Sequence, residues 1–223
     1  MWGQSFQAIT NLFLQRTCPL CNRAAPQDFC PACWRQLQSE FYRQSATTTE
    51  AALAILASGS YQGTLKQAIA ALKYDGNRHL ALPLGFALGE RWQAFPLKTR
   101  KPPLVVPIPL HIKKLRERGF NQAELLADAF CRRTGLTLIR RGLVRQQETT
   151  PQFGLGVAAR QQNLMGAFTL GSDFQHRHPQ QSVLLLDDIY TTGTTVRTAA
   201  TVLRQHGISV CGVGAIAQAT LDC

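Results

Sequence analysis

The sequence predicts an α/β protein: a doubly wound, mostly parallel sheet with a small N-terminal zinc-binding module. Three observations predict it. Short apolar runs alternate with amphipathic helical runs, the pattern of β-α-β units joined by crossover helices. Four of the seven cysteines stand close together, as Cys18-Pro-Leu-Cys21 and Cys30-Pro-Ala-Cys33. At 223 residues, 45% hydrophobic and 17% charged, the chain can bury a sizeable core and is no disordered tail.

The elements follow in order. Trp2, Phe6, Ile9 and Phe13 recur every three to four residues, so residues 2–14 suit a short amphipathic helix packed on the body. The cysteine segment follows, and a polar, Thr-rich linker from Ser45 to Glu50 separates residues 1–45 from an α/β domain at 46–223. Leu65, Ile69 and Leu72 mark a helix over 63–73, stopped by Asp75-Gly76-Asn77, and a second helix spans 79–95 before Pro96. Leu104 to Pro109 reads as a buried strand ending in a constrained loop. A helix over 121–133 and a short strand over 136–139 come next, then a Gln- and Thr-rich stretch from Gln146 to Gln152. The last unit is a strand over 183–186, a loop, and a helix turning Val196, Ala199, Ala200 and Leu203 inward. Gly207 caps that helix, and a final strand covers 208–217.

The formal charge of +11 biases the chain toward anionic partners: phosphorylated metabolites, nucleic acid or an acidic membrane surface. Residues 98–145 hold 12 of the 24 lysines and arginines, so an anion is expected there. No stretch approaches the roughly 20 apolar residues of a membrane span. The first residues lack a cationic and then apolar signal, which points to a reducing, cytoplasmic setting.

Two Cys-x-x-Cys knuckles can close a tetrahedron of thiolates around structural Zn2+, with Cys18, Cys21, Cys30 and Cys33 as ligands. A thioredoxin-type redox pair, disulfides or an iron–sulfur cluster are the alternatives. Four sulfur ligands leave no open position for catalysis.

The segment Val183-Leu-Leu-Leu-Asp187-Asp188-Ile-Tyr-Thr191-Thr192-Gly193-Thr194-Thr195 carries the most chemistry. An apolar strand delivers two carboxylates to the carboxyl edge of the sheet, where open α/β folds bind ligands. Small hydroxyl residues and Gly193 then open a helix, whose free N–H groups can cup a phosphate. The carboxylates would repel that phosphate, so they face a ribose diol or an Mg2+ with its waters on the same ligand. The plain alternative is an N-cap turn after an edge strand with solvated acids. A Walker loop is excluded, because Gly-Lys-Ser/Thr is missing.

This stretch resembles the phosphoribosyl-diphosphate (PRPP) signature of type I phosphoribosyltransferases. With it, Val105-Val-Pro-Ile-Pro-Leu, Arg116-Glu-Arg-Gly-Phe-Asn-Gln-Ala123, Leu72-Lys73-Tyr74-x-Gly76 and Arg160-x-x-Asn163 resemble the ComF family, linked to natural competence. The resemblance implies that Asp187 and Asp188 hold ribose hydroxyls and that Thr191, Thr192, Gly193, Thr194 and Thr195 hold the 5′-phosphate. It implies a diphosphate loop with Arg116 and Arg118, and a mobile loop over 145–163 carrying Arg160. Spacing alone keeps Arg116 and Arg118 off one helix face, which suits a loop gripping a polyanion. Mg2+ would accompany PRPP.

Two functions follow. An enzyme would displace diphosphate from PRPP, or use another ribose-phosphate ligand, with Mg2+ and cations on the leaving group and no protein nucleophile. A binding module would instead hold single-stranded DNA alongside competence proteins. Such binders interleave aromatics with cations, and residues 98–145 offer only Phe120 and Phe130.

Overall fold

A computed structural model of the chain describes residues 17–42, 48–50, 53–146, 166–175 and 179–219. The helix expected over 2–14 and the loop carrying Arg160 lie outside these residues. Helix α1 is Pro31–Glu40, and strands β1 (Thr48–Glu50) and β2 (Leu53–Ser60) follow. Helix α2 (Gly63–Tyr74), a 3-10 turn over Arg78–Leu80 and helix α3 (Ala81–Ala94) lead to β3 (Leu104–Pro107). Helices α4 (Ile112–Arg118) and α5 (Gln122–Thr134) precede β4 (Thr137–Leu138), β5 (Leu143–Arg145) and β6 (Phe168–Leu170). A turn of helix, α6 (Ser172–Gln175), then β7 (Val183–Tyr190), α7 (Thr194–Gln205) and β8 (Val210–Gln218) complete the order.

The main sheet runs β1-β2-β8-β7-β3-β4, and β5 pairs antiparallel with β6 beside it. Only β1 is antiparallel to its neighbour in the main sheet; the other four pairings are parallel. Both faces are covered, which is why the central strands read as unbroken apolar runs. Leu184 and Leu186 join one core with α2, α3 and α5, while Val183 and Leu185 join the other with α7. The doubly wound, mostly parallel sheet is as the sequence predicts.

Four local readings are corrected. The strand expected over 183–186 continues to Tyr190, so Asp187 and Asp188 lie within it and not in a loop. Its C-terminal half is still paired: Ile189 matches Ala217 and Tyr190 matches Gln218. Arg116 and Arg118 lie on helix α4, closed by Gly119 at φ 75°, and so on opposite sides of two helical turns. The strand expected over 104–109 ends at Pro107, and β2 is an eight-residue strand that no sequence pattern marked.

The basic cluster is also redistributed. Arg140 pairs with Glu124 and Asp128, and Arg133 with Glu90, on the helix surface. Lys101 donates to Gln180 before β3, at the opposite edge of the sheet. Acidic side chains one helical turn or one element away neutralise Arg133 and Arg140 where they stand. Among the described residues no helix is long and apolar enough to cross a membrane.

Candidate functional site

Helix α2 sets the geometry of the carboxyl edge. It begins three residues after β2 and its last-turn Lys73 reaches Asp188 near the end of β7. A helix of twelve residues is about 18 Å long, and two strand spacings amount to about 10 Å. Helix α2 therefore crosses above the edge from β2 to β7 instead of running back along the sheet.

The pleat of β7 separates the two carboxylates. Side chains alternate along a strand, so Asp188 follows Leu184 and Leu186 toward α2 and α5, while Asp187 follows Val183 and Leu185 toward α7. Asp188 is buried and forms an ion pair with Lys73 through Oδ2. Its Oδ1 accepts from Gln122 Nε2 at 3.4 Å, and Gln122 in turn accepts from Arg118. The Arg118 guanidinium lies 5.4 Å from the centre of the Tyr74 ring. Asp187 is partly exposed, and its Oδ1 accepts from the Asp188 backbone N–H at 2.8 Å. Burial, together with the Asp188 charge beside it, pushes the Asp187 carboxyl well above the usual carboxylate range.

The turn beyond β7 has the form expected of an anion cup. Thr191 and Thr192 are exposed, Gly193 sits at φ 70° as the N-cap of α7, and no side chain caps that helix start. Thr192 and Thr194 hydroxyls lie 2.9 Å apart, and Arg197 donates to Thr194 Oγ1 at 3.5 Å. Thr195 is half-buried in the first turn. A Cβ on Gly193 would stand 2.2 Å from the Tyr190 hydroxyl and 2.7 Å from Arg197 Nη1. Glycine is thus required by its left-handed backbone and by the ring packed beneath it. Arg116 is exposed on α4, beyond the end of β3, which lies next to β7.

Sequence reasoning missed Lys73 as a site residue, Gln122 as the group between Arg118 and Asp188, and Arg197 beside the cup. The Leu72-Lys73-Tyr74 motif was the one available signal for the first. Asp188 and Gln122 meet only through packing of α5 on β7. The edge-strand alternative is excluded, because β7 lies between β8 and β3.

The four cysteines converge. Their sulfurs all lie within 4.8 Å of one another, and Cys21 Sγ is 3.6 Å from Cys30 Sγ. Tetrahedral Zn–S bonds of ~2.3 Å put sulfurs about 3.8 Å apart, so this donor set fits zinc. Cys30 is the N-cap of α1, Pro31 takes its first position, and Cys33 N–H donates to Cys30 Sγ at 3.5 Å. Hydrogen bonds from the Arg23 backbone and side chain lower the Cys21 thiol to about 6, while burial pushes Cys33 up.

No family model matches the chain. It is 32% identical over 143 residues to competence protein F of Haemophilus influenzae, covering 64% of this chain and 61% of that protein. It is 29% identical over 196 residues to DNA utilization protein YhgH of Escherichia coli strain K12, covering 85% of this chain and 78% of that protein. Competence protein ComFC of Bacillus subtilis is 26% identical over 198 residues, covering 85% of this chain and 72% of that protein. The chain thus spans under two thirds of the Haemophilus protein. Two solved structures are similar at 16% identity. Glutamine PRPP amidotransferase from B. subtilis has a TM-score of 0.44 over 66% of this chain and 30% of that chain. Orotate phosphoribosyltransferase from Aeropyrum pernix has 0.36 over 84% of this chain and 80% of that chain.

Proposed function

We propose that the chain binds PRPP, with Mg2+ carried on the diphosphate, at the carboxyl edge of its sheet and transfers the phosphoribosyl group to an acceptor nitrogen. The observation that carries this reading is the succession along β7 and α7: a partly exposed carboxylate, then an uncapped helix start lined with threonines and flanked by Arg197. A ribose 5-phosphate offers a diol and a dianion about one sugar apart, which matches that order. In the transfer, the acceptor lone pair bonds to C1 of the ribose as the C1–O bond to diphosphate breaks. The electron pair leaves with the diphosphate, and the acceptor gives its proton to solvent. Arg116, exposed beyond β3, is a cation available to the departing diphosphate, and the transfer needs no protein nucleophile. The family resemblance adds Arg160, which lies outside the described residues, as a further ligand-binding cation.

Calorimetry with PRPP and Mg2+ tests the site. A hydrogen bond to a charged group contributes about 1.5–3 kcal/mol, so Asp187→Asn should weaken binding roughly ten- to a hundredfold. No heat from folded wild type at millimolar PRPP overturns the proposal. A second reading is supported by the names of the relatives, which refer to competence and DNA utilization, and by the charge of +11. Here the surface holds single-stranded DNA through phosphates, and affinity falls steeply as salt rises. Flat affinity across a salt titration, or none at low salt, removes it.

A further inference from the structure

We infer that Arg23 is the counter-charge of the four-cysteine centre and guards Cys21, the ligand through which zinc is exchanged. The inference rests on zinc as the occupant of Cys18, Cys21, Cys30 and Cys33.

The four sulfurs are not equally protected. Cys18, Cys30 and Cys33 are 0%, 4% and 7% exposed, while Cys21 is partly open to solvent. Attack on a sulfur depends on access to it, so the open flank of Cys21 is the way in and out of the centre.

Charge makes that flank the weak point. Metal-bound cysteines are thiolates, so four of them around one Zn2+ leave two negative charges in excess. The cysteines share a core with Ala25, Phe29 and Leu37, and in apolar surroundings an unanswered charge is costly. Each knuckle answers with a donor of its own. In the second, Cys30 caps helix α1 and its sulfur accepts from the Cys33 N–H at 3.5 Å. In the first, Arg23 Nε donates to Cys21 Sγ at 3.4 Å. The backbone puts the arginine there. Thr17 and Ala24 form an antiparallel bridge, the Cys18 N–H donates to the Arg23 carbonyl at 2.8 Å, and Asn22 turns the chain at φ 58°. A guanidinium is always charged, so Arg23 brings a full positive charge to the sulfur that solvent reaches. Groups that hydrogen-bond to metal ligands are worth about 10–100-fold in metal affinity.

The test uses the full-length, zinc-loaded protein and two uncharged probes that a cation cannot steer: the pyridyl chelator TPEN and iodoacetamide. Iodoacetamide bonds to a cysteine sulfur as iodide leaves. In wild type, mass spectrometry should find Cys21 alkylated before Cys18, Cys30 or Cys33. A first label on one of those three overturns the inference, and that measurement needs no variant. Arg23→Gln should give up zinc to TPEN at least about tenfold faster than wild type, and Arg23→Lys should lie closer to wild type than to Arg23→Gln. Raising KCl should speed release from wild type more than from Arg23→Gln, a response that a merely structural arginine would not produce. Equal salt responses, or equally fast release from the two variants, overturn the inference. Wild type purified without zinc removes the metal reading itself, whereas zinc held equally by wild type and Arg23→Gln overturns this inference alone.

Discussion

Asp187 and Gly193 show two ways in which this site sets local stability against ligand chemistry. The Asp187 carboxyl is raised by burial and by Asp188, so the folded chain keeps a proton that the unfolded chain releases above the usual carboxylate range. The unfolded state then binds fewer protons, and stability falls as pH rises through that interval. Asp187→Asn removes the penalty. Its melting temperature should exceed that of wild type at pH 7 and converge with it near pH 3, while its PRPP affinity drops. A melting temperature at pH 7 equal to or below wild type contradicts the assignment. Gly193→Ala tests the turn. A left-handed backbone costs an alanine about 1–3 kcal/mol, and its Cβ meets the buried Tyr190 ring. Chemical denaturation should therefore show a loss of about 2 kcal/mol or more even without ligand.

Helix α2 links two parts of the molecule that sequence reading kept apart. Its own N-cap residue, Gln62, makes no side-chain cap. Glu40, at the end of α1, instead accepts from the Thr64 and Leu65 backbone N–H groups at 3.0 and 2.8 Å. A carboxylate at a helix N-terminus satisfies free donors and complements the dipole. Glu40→Ala should cost about 1–2 kcal/mol and lower the melting temperature by several degrees. Because α2 carries Lys73 at its other end, PRPP binding should weaken as well; unchanged stability and affinity would sever the link. Much at this scale was legible. The helix over 63–73 shows its Leu65, Ile69 and Leu72 stripe, and α7 shows Val196, Ala199, Ala200 and Leu203. Strand β2 was hidden because both its faces are buried and Leu-Ala-Ile-Leu-Ala has no period of two. The extent of β7 was hidden because its final residues are polar or ligand-facing, and only pairing with β8 keeps them extended. Glu40 and Gln122 act across 24 and 66 residues of sequence, beyond the reach of any local pattern.

At the scale of the whole molecule, the cysteine segment is built into the body. Cys18, Phe29, Cys30, Cys33 and Leu37 share one core with Leu56 of β2, Leu65 of α2 and Ile216 of β8. Its knuckle spacing was fully readable in sequence, but this packing was not. Purified protein should carry about one zinc per chain. The double variant Cys30→Ser/Cys33→Ser should lose the metal and, through the shared core, melt at a lower temperature as one transition. Stoichiometric zinc in that variant, or a body that melts unchanged, would contradict this account.

The central place of β8 has a consequence in time. Its pairing partner β2 is made early, yet Ala54 must wait for Gly212 before its hydrogen bonds can close. At synthesis rates of roughly 5–20 residues per second, that wait is on the order of 10–30 s. Meanwhile the nascent β2 carries Leu53, Ile55 and Leu56 beside an unpaired strand edge, a template for wrong partners. The sheet closes only when β8 slots between β2 and β7, so every parallel pairing of β2 waits on a strand made more than a hundred residues later.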